Sequence, residues 1–323
     1  MPAPPLLYRR TWPAADLVAA HPARIHHPHK QLLYDVAALT GPPAGAVSIS
    51  RWGPNPLPEA LTGDIGIAEA PGYFSYDDPE PGEVDWHQNF ADVHVFGFYA
   101  GGLYAQDEMQ VAEHPVLASV HEALAAERQA LTEDASGPTP VLVAGVERRV
   151  TVDTEPSLDP GRMAGLYGNR FAAASTATLR SAVKRVAPPT VSNILAIAAP
   201  RPGSGRYTAA QIRGVLQTAY TGYAAGVAES ARLHPGAKVV VHTGFWGCGA
   251  FGGDRVLMVA LQTVAARLAG VHTLVFHVGD RTGLHDTAEA RRALARLPAS
   301  GPVEGFVTAV EAAGFQWGRS DGN

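Results

Sequence analysis

The sequence predicts an α/β fold, a mixed and mostly parallel sheet lying between helices, and three features of its second half carry that expectation. Apolar runs at 191–198, 239–242 and 274–278 have the length and composition of buried strands. The stretches between them read as helices with recognisable starts and stops. Strand, helix and strand in that order form a crossover unit, which makes the strands parallel.

The first of these strands ends at Pro200, and a helix begins at Thr208, where Thr208 and Gln211 have the spacing of a capping box. Tyr207 and Ile212 are placed to form a hydrophobic staple around it. Ile212, Val215, Leu216, Ala219, Tyr223 and Val227 then recur on one helical face. After the second strand, Asp254 caps a helix from Arg255 to Ala269 that stops at Gly270, and the third strand follows. Residues 1–85 are rich in proline and glycine and lack a sustained helical period, so they read as an accessory, loop-rich region preceding a domain at 86–323. His21, His26, His27 and His29 have the composition of a metal cluster. No acidic or cysteine ligand accompanies them, and Pro22 and Pro28 favour a solvated loop.

Composition narrows the function classes. The chain has 323 residues, 46% of them apolar, and can bury a large core. A net charge of −5 with 17% charged residues provides no field that gathers polyanions, so direct nucleic-acid binding is not expected and an anionic ligand has to be held locally. Lys30, Lys184 and Lys238 are the only lysines. Cys248 is the single cysteine, which excludes an intrachain disulfide framework. No apolar run is long enough for a bilayer span and no secretory segment follows Arg9 and Arg10, so the expected location is cytoplasmic.

Between the strand ending at His242 and the helix capped by Asp254 lies TGFWGCGAFGG, residues 243–253. Five glycines at the carboxyl end of a strand let the backbone approach a ligand, and free N–H groups before a helix suit a diphosphate. No Gly-Lys-Ser/Thr follows, which excludes a Walker loop. Gly247, Gly249 and Gly252 also satisfy the dinucleotide fingerprint, with Asp280 as a ribose ligand, so an NAD-dependent oxidoreductase is an alternative. Against it, Phe245 and Trp246 intervene where a Rossmann strand turns directly into the motif.

The stretch TGFWGCGAFGGD, continuing to LVFHVGD, resembles the diphosphate-binding segment of the poly(ADP-ribose) glycohydrolase family. Ala219-Tyr-Thr-Gly-Tyr223 is similar to a second family segment. A third is Asn89-Phe-Ala-Asp92, with Gln106-Asp-Glu108 beginning seventeen residues after Asn89, the family's spacing.

The resemblance implies a macrodomain-like three-layer fold and a hydrolase that cleaves O-glycosidic ribose linkages of poly(ADP-ribose) or ADP-ribosylated substrates, without cofactor or metal. It places Glu108 as general acid and base with Asp107 beside it. It implies ligand contacts by Asn89, Phe90, Asp92, Gly97, Gln106, Gly247, Gly249, Ala250 and Phe251. A catalytically inactive ADP-ribose-binding module is the other alternative. The chemistry independently asks for a carboxyl pair, since glycosidic cleavage needs an acid for the leaving oxygen and a base for water. Successive helical residues diverge by about 100°, so Asp107 and Glu108 are not expected to face one bond together. The family's triple-glycine turn becomes Phe96-Gly97-Phe98, Asp92 and Asn89 exchange the family's Asn and Asp, and Phe245 replaces an Asn. Cys248, Tyr220 and Tyr223 are expected to pack rather than react.

Overall fold

The computed structural model describes residues 3–159 and 161–322. Eight strands form its main sheet: β1 (Leu6–Pro13), β2 (Ala46–Trp52), β3 (Gly66–Ala70), β4 (Glu83–Ala91), β5 (Val141–Val152), β6 (Val183–Ala198), β7 (Lys238–Thr243) and β8 (Thr273–His277). Their spatial order is β1-β2-β5-β6-β4-β7-β8-β3. The four pairings from β6 to β3 are parallel. The three pairings from β1 to β6 are antiparallel. The sheet is therefore mixed and mostly parallel, as the sequence predicts.

Helices cover both faces because side chains alternate along each strand. Trp86, Leu195, Val241, Leu274 and Phe276 face one way, into a core shared with α5 (Ala209–Leu233), α6 (Arg255–Ala269) and α8 (Val303–Ala313). Val47, Ile49, Val143, Ile194 and Ala196 face the other way, against α1 (Ala14–Ala20), α3 (Gln106–Glu113) and α4 (Val116–Ala126). A third cluster joins α2 (Pro28–Ala38) to Tyr104, Ala112, Leu166 and Phe171. The remaining long helix, α7 (Arg281–Leu294), follows β8.

The capped helices form where their termini predict. Thr208 Oγ1 accepts from Gln211 N, and Gln211 Oε1 accepts from Thr208 N, closing the capping box. Asp254 Oδ1 accepts from Leu257 N, and Gly270 ends α6 at φ 75°, a left-handed turn that glycine adopts without Cβ strain. The strand expected at 191–198 begins earlier, at Val183. Its first half is largely exposed and pairs only with β5, so it carries no apolar run.

The expectation of a loop-rich accessory region at 1–85 is corrected by this topology. That stretch supplies β1, β2 and β3 to the main sheet, supplies α1 and α2 to its flank, and contains the first residues of β4. Leu17, Leu33, Val47 and Ile49 are fully buried. His27 is not in a solvated loop either: its Nδ1 accepts from His29 N, capping α2, and Pro28 occupies the first turn, where the missing N–H is harmless. His29 hydrogen-bonds Phe171 O at 3.0 Å, and His21 packs edge-on against Trp12. A chain beginning at residue 86 should not fold, because it loses three strands and two helices. Near-UV circular dichroism and a thermal melt check this; a cooperative transition in that fragment would restore the two-part reading.

Candidate active site

The site is built where parallel strands leave the sheet. β4 and β7 are neighbours in parallel register, His87 opposite His242, so the segments following them emerge on the same edge. One leads towards the acid segment and the other becomes the glycine loop.

Gln106 fixes the start of α3 against β4. Its Nε2 donates to Gln88 O (3.0 Å) and its Oε1 accepts from Phe90 N (2.8 Å), so the side-chain amide imitates a strand partner. Asn89 Nδ2 donates to Asp107 Oδ1 (3.0 Å), and Asn89 is completely buried. This explains the exchange of Asn for Asp at residue 89, since an amide donor suits a carboxylate acceptor. Glu108 turns back along the helix, and its Oε2 accepts from Ala105 N (3.1 Å). Asp107 thus faces the strand and Glu108 the helix start, the divergence that helical spacing predicts.

Both carboxyls are buried, Asp107 at 7% and Glu108 at 3% exposure. Burial and the neighbouring Glu108 push the Asp107 carboxyl well above the usual carboxylate range, opposed by Asn89 and Lys30. Burial also raises Glu108, while Lys30 and the helix N–H groups pull it down. The pair can therefore hold a proton near neutral pH, as an acid catalyst requires. Asp92 adds negative charge beside both. Its own Oδ1 accepts from Val93 N.

Gly97 stands apart in a turn closed by its amide on His94 O (3.0 Å). Phe96, which replaces a family glycine there, keeps a positive φ of 56° and is fully buried. Phe98 is exposed.

The glycine loop comes next to the acid segment through Phe90, whose ring lies 3.5 Å from where a Gly244 Cβ would stand. Among the described residues, the amides of Gly247, Gly249, Ala250 and Phe251 find no main-chain acceptor. Amides left without a main-chain acceptor in a glycine-rich turn have the chemistry of an anion site. Trp246 is fully buried and anchors the loop, whereas Phe251 is half-buried. Cys248 is also a packing residue: Sγ donates to Trp246 O, and burial pushes the thiol up, away from thiolate. Tyr220 is buried, and Tyr223 donates to Gln88 Oε1 at 2.8 Å. Asp280, the ribose ligand of the oxidoreductase alternative, is occupied as the cap of α7, accepting from Thr282 N and Gly283 N.

Two features escaped sequence reasoning. Tyr167 receives a hydrogen bond from the Gln106 main chain and lies near Glu108 and Asp321. The segment 318–322 lies along the glycine loop: Gly318 N donates to Gly252 O (2.7 Å), and Asp321 N donates to Gly249 O (3.3 Å). Asp321 Oδ2 is 3.0 Å from the position of a Gly249 Cβ.

Behind the site, His87, His242 and His277 line one sheet face. His242 hydrogen-bonds His277 (3.0 Å) and Asp85 (3.1 Å), and its ring stacks on His87. No group of His, Cys, Asp or Glu among the described residues is arranged to hold a metal ion.

An open, mixed sheet with a glycine-rich loop and a buried acid pair at the carboxyl ends of its parallel strands defines the class of fold and site as α/β. Residues 164–285 match the family described as poly(ADP-ribose) glycohydrolase (PARG), macro domain fold. The match includes Tyr167 and the glycine loop and begins after Glu108. Poly(ADP-ribose) glycohydrolase from Deinococcus radiodurans in complex with ADP-ribose is similar at 16% identity and TM-score 0.43, covering 87% of this chain and 97% of that one. Its apo form gives 15% identity and TM-score 0.42, with coverage of 87% and 97%. No curated protein matches.

The histidines make stability depend on acid. Burial, with His242 adding to it, pushes His277 down to about 4, and Asp77 opposes this. In the unfolded chain the same group titrates near 6.5. The unfolded state therefore binds more protons between those values, so this contribution is complete above pH ~6.5 and is lost as pH falls towards 4. His277→Gln should flatten the decline by an amount on the order of a few kcal/mol. Urea unfolding at pH 7, 5.5 and 4.5 measures it; parallel losses in both proteins would contradict the assignment.

Proposed function

We propose that the protein hydrolyses ADP-ribosyl O-glycosidic bonds, in poly(ADP-ribose) or in ADP-ribosylated macromolecules. The observation that carries this reading is that the diphosphate-type loop follows β7 while Gln106 and Asn89 tie the Asp107–Glu108 turn to the neighbouring parallel strand β4. The family match over residues 164–285 supports it. A cytoplasmic setting belongs to the same proposal and rests on the lone cysteine.

In this reading the amides of residues 247–251 hold the diphosphate, with the helix start of α6 contributing its positive end. The terminal ribose extends towards α3. Glu108, in its protonated form, gives a proton to the departing glycosidic oxygen as the anomeric carbon becomes oxocarbenium-like. The resulting carboxylate then takes a proton from the attacking water, which restores Glu108. Asp107, held by Asn89, keeps the first turn in place, while burial raises the proton affinity of Glu108. No redox or metal group enters these steps.

Glu108→Gln tests the assignment, because it preserves shape but transfers no proton. Release of ADP-ribose from poly(ADP-ribose) should fall by roughly 10² to 10⁴-fold, with binding of ADP-ribose retained. Full activity in a folded variant would remove Glu108 from the chemistry.

The loop makes separable demands. Gly247 has φ 74°, and a Cβ there would meet Pro200 Cδ at 2.7 Å, so Gly247→Val should destabilise the fold. At Gly249 the atoms nearest a Cβ are those of the Asp321 carboxylate, so Gly249→Val should fold while its branched side chain blocks the diphosphate. Asp321→Ala should instead tighten ADP-ribose binding by removing an anion from the loop. Calorimetry and thermal melts on the three variants check the pattern; equal affinities for Gly249→Val and wild type would place the diphosphate elsewhere.

A further inference from the structure

Lys30 is a fully buried lysine, at 0% exposure, on α2 directly beside the first turn of α3. Its Nζ donates to Tyr99 O (3.3 Å) and Glu108 O (3.4 Å), and lies 5.2 Å from the Tyr104 ring and 5.9 Å from the Phe171 ring. An ammonium stripped of water is costly unless opposite charge compensates it. The acidic groups interacting with it are Glu108 and Asp107, both buried on α3. The remaining titratable neighbours are Tyr99 and Tyr104 around it, and His27 and His29 on or beside its own helix; burial favours neutral His27. One cation therefore sits beside two carboxyls and balances a single ionised carboxyl of the pair, while Asp92 adds a further negative charge near both.

We infer that Lys30 is a positioning residue for the hydrolysis proposed above: its ammonium clamps the first turn of α3 and provides the counter-charge that lets one carboxyl of the Asp107–Glu108 pair remain ionised while the other carries the proton. Neither partner alone supplies this. Two buried carboxylates without a cation repel each other, and both take up protons. The pair then lacks the base that activates water. Burial lowers the Lys30 ammonium to about 8, opposed by Glu108 and Asp107, so it is charged at neutral pH and becomes neutral under mildly alkaline conditions. This inference rests on the hydrolase reading for its catalytic consequence, whereas its electrostatic part requires no substrate.

The test combines kinetics with carboxyl titration followed by carbon-13 NMR on the full chain, in wild type, Lys30→Met and Lys30→Gln. Gln can still donate to the two carbonyls but has no charge, which separates clamping from charge balance. In both variants the Asp107 and Glu108 titrations should move up by about one pH unit. Their kcat at pH 7 should fall about tenfold or more with KM for poly(ADP-ribose) changed less than about threefold, and the kcat–pH profile should shift upward. In wild type the Lys30 Nζ signal, followed by nitrogen-15 NMR, should report loss of its proton at about pH 8. That measurement serves even if neither variant folds. Unmoved carboxyl titrations in folded variants, or a wild-type Lys30 that titrates like an exposed lysine, overturn the inference. Titrations shifted in the variants, together with a wild-type protein that releases no ADP-ribose, would support the charge balance and reject the hydrolase reading.

Discussion

The parallel pairing of β4 with β7 is the constraint on which the site depends. Five hydrogen-bonded positions, from Glu83 opposite Lys238 to His87 opposite His242, hold the two strands in one direction. Parallel strands deliver their following segments to a common edge, whereas an antiparallel pair would send them to opposite ends. Trp86 and Val241 secure the pairing from one face. Asp85 and His242 hydrogen-bond on the other. A glycine loop and an acid helix separated by more than one hundred residues thereby become neighbours.

The acid helix depends on a second device, the side chain of Gln106. A free helix end would let Asp107 and Glu108 sample several orientations, at an entropic cost to any reaction needing one of them. Gln106 fastens both its amide oxygen and its amide nitrogen to β4 main chain, while Tyr167 engages the Gln106 backbone. Asn89 then fixes Asp107. Burial supplies the raised proton affinity, and Lys30 limits it. Gln106 and Asn89 position the acid turn, whereas Lys30 contributes both a clamp and a charge, which is why Lys30→Gln separates the two effects.

Much of this was legible in the sequence where local signals are self-contained. Thr208, Asp254 and Gly270 mark helix ends by chemistry that operates within a few residues, and the structure uses all three. The glycine loop was equally clear, because five glycines between a strand and a helix have few other uses. The first 85 residues were not legible. β1 is an edge strand with most residues exposed and Arg9 and Arg10 at its centre, so it lacks the apolar alternation that announces a strand. Pro28 reads as a breaker unless its place at a helix start is known. Lys30 gives no sequence signal at all, since burial of a lysine is decided by elements distant in the chain. Tyr167 and the 318–322 segment were missed for the same reason.

The central claim is that one ligand spans the glycine loop and the acid helix. A crystal structure of the Glu108→Gln protein with ADP-ribose tests it most directly. The account predicts the diphosphate on the amides of residues 247–251, with Asp321 displaced and the terminal ribose against residue 108. A diphosphate bound away from that loop, or a ribose directed away from α3, would contradict it.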